Sequence, residues 1–308
     1  MKNSITKSGI AITLGLALLG GCSNAAKPIN SCPTNATFSF TVMNFTGDML
    51  FTQLLGINDH GVIAGYHGSG ADAQHLNKGF TLAPSSTFTD ENFMNSAQTQ
   101  VIAINLKGDT AGFYVDQAGK THGFADVGGT FSTVDAPNTT FNQLLGLNDN
   151  DAAAGYSQDA NGTQHPYTVS GGTFTMITTP GTTGQATGIN NNGDVSGFYV
   201  DNANLTHGFV IPKGKTLMTV DFPMGTFTQV LGLNNLGDAV GTYNDAAGKT
   251  HGFIFKISGA SFEPIDEPMG VGTTVVNGLN DEGQFVGFFV DQAGNTNGFV
   301  GKITACKM

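Results

Sequence analysis

Residues 100–137, QVIAINLKGDTAGFYVDQAGKTHGFADVGGTFSTVDAP, contain the pattern that decides the fold. The segment predicts four short β-strands, because β-branched and aromatic residues alternate with small and polar ones. These strands cover residues 100–105, 110–116, 121–125 and 130–135. Glycine turns separate them, and Pro137 ends the last one. Strands this short, joined by turns this tight, pair as one antiparallel sheet.

The same module, about 45 residues long, occurs six times along the chain. Each copy contains the tripeptide Gly-Ile/Leu-Asn, with Ala103 in place of the glycine in the second copy. The asparagines are Asn58, Asn105, Asn148, Asn190, Asn234 and Asn280. Seven residues further on come Gly65, Gly112, Gly155, Gly197, Gly241 and Gly287, and five copies then have Asp116, Asp159, Asp201, Asp245 or Asp291. A fixed period of this length indicates a repeat architecture.

Six four-stranded modules without a helical segment predict an all-β protein, a six-bladed β-propeller. Residues 37–42, ahead of the first copy, match a fourth strand, whereas the last copy ends after its third strand at residues 298–303. We therefore expect the N-terminal strand to complete the sixth blade, which leaves no open sheet edge. Strand direction then places the first residue of that strand and the C-terminus on the face with the Asn-x-x-Gly turns.

The copies also alternate in sequence. Odd copies share residues 51–56, 141–146 and 227–232, which follow the pattern Phe-Thr/Asn-Gln-Leu/Val-Leu-Gly. Even copies share residues 112–116, 197–201 and 287–291, which follow the pattern Gly-Phe-Tyr/Phe-Val-Asp. The multiplied unit is therefore a pair of blades taken three times, and we expect pseudo-threefold symmetry.

The repeats resemble the extracellular HAF-type repeats of bacterial exported proteins. The resemblance lies in the Gly-Leu-Asn-x-x-Gly-x-x-x-Gly core and in a His-Gly-Phe where that family has His-Ala-Phe. It covers roughly Gln53 to Gly301, and the chain departs from it at Asp151, at residues 165–167 and at Asn297. It implies an exported repeat protein and carries no particular activity with it.

The first residues resemble a bacterial lipoprotein signal. An apolar run, Ile10 to Leu19, follows Lys2 and Lys7 and leads to the lipobox-like Leu19-Gly20-Gly21-Cys22. The resemblance implies cleavage before Cys22 and lipidation there, and Ser23 favours the outer membrane over the inner one. The alternative is an ordinary secretory peptide with an incidental cysteine. We expect a signal peptide at 1–21, a lipidated cysteine and tether at 22–36, and the propeller at 37–308.

Composition narrows the class of partner. The chain has a net charge of -11 and a pI of about 4.8, and its 12 basic residues are all lysines. Nucleic-acid binding requires a basic field, so we expect none. The two remaining cysteines, Cys32 and Cys306, flank the strand pair that closes the ring, and we expect a disulfide between them because the protein is exported.

The best candidate ligand site is a set of glutamines five residues before the repeat asparagine. They are Gln53, Gln100, Gln143, Gln185 and Gln229, with Val275 in the sixth copy. First strands line a propeller channel, so these amides fall near its entrance, where they could bind a sugar or a peptide end. The alternative is that they bond to one another, to the backbone or to channel water.

Two other repeated features have structural explanations. His122, His165, His207 and His251 open third strands, and we expect each to bond within its blade, for example to Asp135, Asp221 or Asp266. The Asp-x-x-Gly turns offer too few oxygens for calcium and suit backbone bonding of their own turn. We expect no metal and no cofactor.

One loop stands out because it is longer than its counterparts. Residues 66–75 bring His67, Ser69, Asp72 and His75 together, without a nucleophile elbow or an oxyanion arrangement. We interpret it as a decorated loop and assign no catalytic residue. The sequence thus favours a lipid-anchored binding module in the cell envelope. A polysaccharide- or glycan-active enzyme with its site at the channel mouth, and a structural envelope protein, are the alternatives.

Overall fold

The computed structural model describes residues 36–306, which form an all-β, six-bladed propeller of four-stranded antiparallel blades. Blade 1 comprises β2 (Thr52–Ile57), β3 (Ile63–His67), β4 (Lys78–Leu82) and β5 (Phe88–Asp90). Blade 2 comprises β6 (Gln98–Ile104), β7 (Thr110–Val115), β8 (Thr121–Val127) and β9 (Thr130–Thr133). Blade 3 comprises β10 (Phe141–Leu147), β11 (Ala153–Gln158), β12 (Gln164–Ser170) and β13 (Thr173–Met176).

The second half repeats this arrangement. Blade 4 comprises β14 (Thr183–Ile189), β15 (Val195–Val200), β16 (Thr206–Ile211) and β17 (Met218–Val220). Blade 5 comprises β18 (Phe227–Leu233), β19 (Asp238–Asn244), β20 (Thr250–Lys256) and β21 (Ser261–Ile265). Blade 6 comprises β22 (Thr274–Leu279), β23 (Gln284–Val290), β24 (Thr296–Cys306) and β1 (Ala36–Val42). The predicted fold and the number of blades are confirmed.

The N-terminal strand closes the ring as predicted. β1 pairs antiparallel with β24, from Val42 opposite Phe299 to Ala36 opposite Cys306. The backbone of Cys306 therefore lies across from a residue four positions after Cys32. Cys32 itself, together with the signal peptide and Cys22, falls outside the described residues, so the disulfide and the lipid anchor stay predictions.

The two faces of the propeller carry different turns. β10 and β11 show the direction, because Phe141 pairs with Gln158 beside one turn and Leu147 pairs with Ala153 beside the other. The Asn face carries the Asn-x-x-Gly turns and the first residue of β1. The Gln face carries the Asp-x-x-Gly hairpins and the connections from each fourth strand to the next first strand. This orientation agrees with the strand directions predicted from the sequence.

Glycines allow close packing at two levels of each blade. A Cβ on Gly112 would lie 2.0 Å from the carbonyl oxygen of Gln100 and 3.0 Å from the ring of Phe124. Near the axis, a Cβ on Gly146 would lie 2.8 Å from the Cα of Gly188 in the next blade. The repeat glycines therefore admit an aromatic ring inside the blade and bring neighbouring first strands together.

The repeat asparagines form a closed ring of hydrogen bonds on the Asn face. Each side-chain Nδ2 donates to the backbone carbonyl of the equivalent asparagine in the next blade, at 2.9–3.3 Å. The ring closes where Asn280 donates to Asn58 at 3.0 Å. Each side-chain oxygen also accepts the backbone N–H four residues ahead, as Asn148 does from Ala152. The asparagine thus joins one blade to the next and shapes its own turn.

The residues that directly follow the repeat asparagines form a second ring of hydrogen bonds, which is interrupted at one place. Its backbone N–H groups donate to a side chain of the next blade, as Asn235 does to Asp281 at 2.8 Å. Asp281 likewise donates to Asp59 at 2.8 Å. Blade 2 has Leu106 at this position, so it offers no side-chain acceptor to Asp59.

Within residues 36–306, no helix has the length and apolar character needed to cross a membrane.

Candidate functional site

A β-bulge in every first strand turns one side chain into the central channel. The strand register shifts at the same place in all six blades. The bulged residues are Leu55, Ile102, Leu145, Thr187, Leu231 and Asn277, and all six line a cavity of about 70 Å³. Bulges commonly re-aim side chains in this way near functional sites. Four of these six side chains are leucine or isoleucine, so the bulged residues give the cavity a mostly apolar floor.

Three of the five predicted glutamines join this cavity. Gln143, Gln185 and Gln229 line it, and they come from blades 3, 4 and 5. Gln229 is only 4% exposed, and its Oε1 atom has no hydrogen-bond partner among the described residues. A buried amide oxygen without a partner costs free energy, and most such atoms in folded proteins are bonded. Gln100 Oε1 is also buried without a partner, so this feature occurs both inside and outside the cavity lining.

The other two glutamines do not line the cavity. Gln100 is 1% exposed, and its Nε2 atom donates to Oδ1 of Asn77 at 2.7 Å. Gln53 is 8% exposed and also lies outside the lining. The glutamines therefore form an arc on one side of the mouth. The sequence could not reveal this, because Asn77 lies just after the long loop of blade 1, which has no counterpart of the same length in the other blades.

The two polar bulge residues break the sixfold pattern. Thr187 Oγ1 donates to the carbonyl of Val230 at 2.8 Å, and Asn277 Nδ2 donates to the carbonyl of Leu54 at 2.9 Å. Both bonds join one blade to the next, so these donors are occupied. The amide groups of Gln143 and Gln229 remain the polar groups best placed to meet a ligand. All residues that line the cavity are aliphatic, aromatic, hydroxyl or amide.

The repeated histidines lie on third strands, away from the channel, and bond within their blades. His122 Nδ1 donates to Asp135 at 2.6 Å, and His251 Nδ1 donates to Asp266 at 2.7 Å. His207 contacts Asp221 at 2.9 Å and Asp201 at 3.4 Å. The pairing expected from the sequence is therefore confirmed in three blades. His165 instead contacts Asp159 at 3.3 Å, and Asn297 bonds to Asp291 at 3.1 Å.

In blade 4 the pKa values of His207 and Asp201 are shifted in opposite directions. Partial burial opposes the charged form of His207, but hydrogen bonds to Asp221 and Asp201 outweigh it and raise its pKa. The backbone N–H of Leu205 holds the pKa of Asp201 below its ordinary value, and His207 adds to this effect. The pairs thus tie the third strand to the Asp-x-x-Gly hairpin and to the end of the fourth strand.

The long loop of blade 1 does not assemble a nucleophile. His75 Nδ1 donates to Asp72 at 2.9 Å, while Ser69 Oγ accepts the backbone N–H of Ala71. His67 stacks on Phe45 with ring centroids 3.9 Å apart, and burial lowers its pKa. His75 and Ser69 are therefore used in local bonding, whereas His67 is held by stacking and its buried Nδ1 atom has no hydrogen-bond partner among the described residues.

An acidic side chain occupies an aliphatic position in blade 1. Glu91 follows β5, where the equivalent residues of blades 5 and 4 are the buried Ile265 and Val220. Burial raises the pKa of Glu91 to about 7, although a hydrogen bond from Thr110 opposes the rise. The sequence analysis did not single out this residue; aligning the fourth strands reveals it.

Among the described residues, no group of three or more His, Cys, Asp or Glu side chains is arranged to hold a metal ion.

Comparison with known proteins supports the fold and goes no further. No protein-family model matches the chain, and no curated protein matches it in sequence. TolB from Acinetobacter baumannii is similar in structure, with a TM-score of 0.55 and 10% identity over 83% of this chain and 66% of that chain. The chain therefore spans just under two thirds of that TolB protein.

Two further solved structures show how varied such propellers are. The six-bladed fucose-recognising lectin of Aleuria aurantia matches with a TM-score of 0.50 and 11% identity, over 84% of this chain and 93% of that one. The gluconolactonase XC5397 of Xanthomonas campestris matches with a TM-score of 0.55 and 9% identity, over 91% and 98% of the two chains. At such identities the likeness shows the propeller fold alone.

Proposed function

We propose that the protein is a lipid-anchored, extracytoplasmic binding module that takes a glycan or peptide ligand at the Gln face of its channel. The observation that carries the proposal is the composition of the cavity, in which mostly apolar bulged side chains lie beside the amides of Gln143, Gln185 and Gln229. Ligand sites in proteins combine apolar walls with a few placed polar groups, and this cavity has that composition.

The lining favours binding over catalysis. General acid–base catalysis requires a titratable side chain within hydrogen-bond reach of the substrate. The cavity presents amides, one threonine and aliphatic groups, whereas the histidine–aspartate pairs lie on outer strands. The solved structures of similar fold include a lectin, which gives a precedent for ligand recognition on a six-bladed propeller.

The test compares matched glutamine variants on glycan and peptide arrays. Purified full-length protein should retain a subset of probes, and Gln143→Ala combined with Gln229→Ala should abolish that retention. The melting temperature should change little, since Gln229 Oε1 makes no bond that the variant would lose. Gln53→Ala, at the same repeat position but outside the lining, should behave as wild type. Equal retention by the double variant, or a large loss of stability, would overturn the proposal.

The anchor and the disulfide complete the proposed arrangement. Lipidation of Cys22 would tether the Asn face to the outer membrane, because the described chain begins there at Ala36. Residues 23–31 would reach at most about 30 Å when extended. A disulfide between Cys32 and Cys306 would close a loop that contains the whole propeller. Because it would restrict the unfolded chain, it would add about 5 kcal/mol to the free energy of unfolding. Cys32→Ser should therefore lower the melting temperature only in oxidising buffer, and recovery of two free thiols from exported protein would remove this element.

A further inference from the structure

Large apolar side chains are exposed on four neighbouring connections of the Gln face. These connections lead from blade 4 to 5, 5 to 6, 6 to 1 and 1 to 2. Their exposed residues, which we call the apolar arc, are Met49 (58%), Leu50 (60%), Met94 (78%), Met224 (65%), Met269 (55%) and Val271 (61%). In the other two connections polar residues such as Asn138 and Thr178 are exposed, and one exposed apolar side chain, Met176 (54%), ends β13 just before the connection from blade 3 to 4. The arc therefore occupies one side of the face.

Met224 occupies its place in the arc at a conformational cost. Its φ is +65°, in the left-handed region that bulky side chains rarely adopt. The equivalent residues of two other connections are Asn95 and Asn138, with φ of +60° and +61°. Asparagine tolerates this conformation because its short polar side chain can bond locally. The exposed methionine is costlier there than the asparagine of its sister loops, and a cost of this kind points to function.

Carboxylates surround the arc. Asp201, Asp245 and Asp291 begin the hairpins of the same sector, where each accepts backbone N–H groups of its own turn, and Asp221 and Asp266 follow its fourth strands. The side chains of Asp221 and Asp266 are 48% and 58% exposed. The lysines of this sector are Lys249 and Lys78, and Lys120 lies in the adjoining hairpin of blade 2. The arc is thus an apolar surface in a negative field, and its complement is both apolar and basic.

We propose that the apolar arc binds a basic, apolar segment of another protein. Methionine side chains adapt to differently shaped apolar partners and are common at surfaces that accept more than one sequence. An extended segment suits a surface spread over four neighbouring connections, because a small molecule would cover only one of them. Lysine or arginine residues of the segment would lie beside the aspartates. This surface lies outside the residues that line the cavity, so the proposal does not depend on what the cavity binds.

Two other occupants fit the charge less well. Anionic lipid head groups would be repelled by the aspartates, and the described chain begins on the opposite face. A second copy of this chain would bring two negative faces together, and the protein carries a net charge of -11. A basic protein segment satisfies both the apolar residues and the carboxylates.

The test uses synthetic peptides of alternating leucine and lysine as probes, with serine–lysine and leucine–glutamate peptides as controls. Fluorescence anisotropy with full-length protein should show binding of the leucine–lysine peptide that weakens as salt is added. Replacing either the leucines or the lysines should weaken binding at least tenfold, about 1.4 kcal/mol.

Variants of the protein test whether the peptide binds at the apolar arc. Met94→Ser combined with Met269→Ser should weaken peptide binding about tenfold. Leu106→Ser combined with Leu236→Ser removes exposed leucines from the Asn face and should leave binding unchanged. Met224→Asn should weaken binding while keeping or raising the melting temperature, because asparagine relieves the left-handed strain. A merely structural methionine would not separate these two readouts.

Several results would overturn the proposal. Equal loss in the Asn-face variant would show non-specific attraction to an acidic protein. Binding of anionic vesicles through the arc would assign it to a membrane, and concentration-dependent dimers lost in Met224→Asn would assign it to a second copy. The double variant of Gln143 and Gln229 should bind the peptide normally, so failure of the cavity proposal and failure of this one are distinguishable.

Discussion

The two mouths of the channel are built from the same repeats and differ in how completely their polar groups are used. On the Asn face, six equivalent asparagines bond to one another in a closed ring. On the Gln face, five glutamines occupy equivalent positions, yet Gln100 Nε2 donates to Asn77, Gln185 Nε2 donates to Gln164, and the Oε1 atoms of Gln100 and Gln229 have no partner among the described residues. The asparagines therefore bond in the same way in every blade, whereas the glutamines differ from blade to blade in how their amides are bonded.

Breaking the asparagine ring should have the largest effect. Asn148→Ala removes the bond to the buried Asn190 carbonyl and the acceptor for the part-buried Ala152 N–H. We expect a loss of about 2–4 kcal/mol in the free energy of unfolding. Asn150→Ala, in the same turn but exposed, should cost less than about 0.5 kcal/mol. Denaturant unfolding measures both, and equal effects would show that the ring does not stabilise the propeller.

The partly buried Glu91 should make stability depend on pH. The folded pKa of Glu91 is about 7, above its ordinary value, so its contribution is full at low pH and is lost as the pH rises through 7. Between pH 5 and 8, wild type should lose about 1–2 kcal/mol that Glu91→Gln retains. Glu282→Gln, an exposed control on the Asn face, should follow wild type. Parallel curves for wild type and Glu91→Gln would contradict the assignment.

Completing the second ring of the Asn face should have the smallest effect. Leu106→Asn would give the Asp59 N–H the side-chain acceptor that the other five blades provide at this step. We expect a gain of about 0.5–1.5 kcal/mol, since one more backbone donor is satisfied. Thermal unfolding provides the measurement. No gain, or a loss, would show that the interruption is already compensated by solvent.

The sequence predicts well what the repeats share. The six blades, the closing strand and the histidine–aspartate pairs follow from periodicity, because the same local contacts recur in each copy. The second blade agrees with its predicted strands to within two residues at each end. Pairing of the even blades is also visible in side-chain contacts, since Tyr114 and Tyr199 each bond to a fourth-strand threonine.

Contacts between blades could not be predicted in the same way. The asparagine ring joins residues 42–47 positions apart along most of its length, and the blade tilt decides which atoms meet. The glutamines differ in their hydrogen bonds because different side chains lie beside them. Asn77 bonds to Gln100, and Gln164 bonds to Gln185. Exposure of the apolar arc depends on connections whose lengths and sequences differ from copy to copy.

The central claim is that the Gln face, opposite the proposed lipid anchor, is the working face. Gly108 on the Asn face and Gly119 on the Gln face form a matched pair, because both have positive φ and no atom within 4 Å of an added Cβ. In protein anchored to intact vesicles, with Cys32 and Cys306 replaced by serine, a membrane-impermeant thiol reagent should label Gly119→Cys faster than Gly108→Cys. In detergent the two rates should become equal. Equal or reversed labelling on the vesicles would contradict the claim.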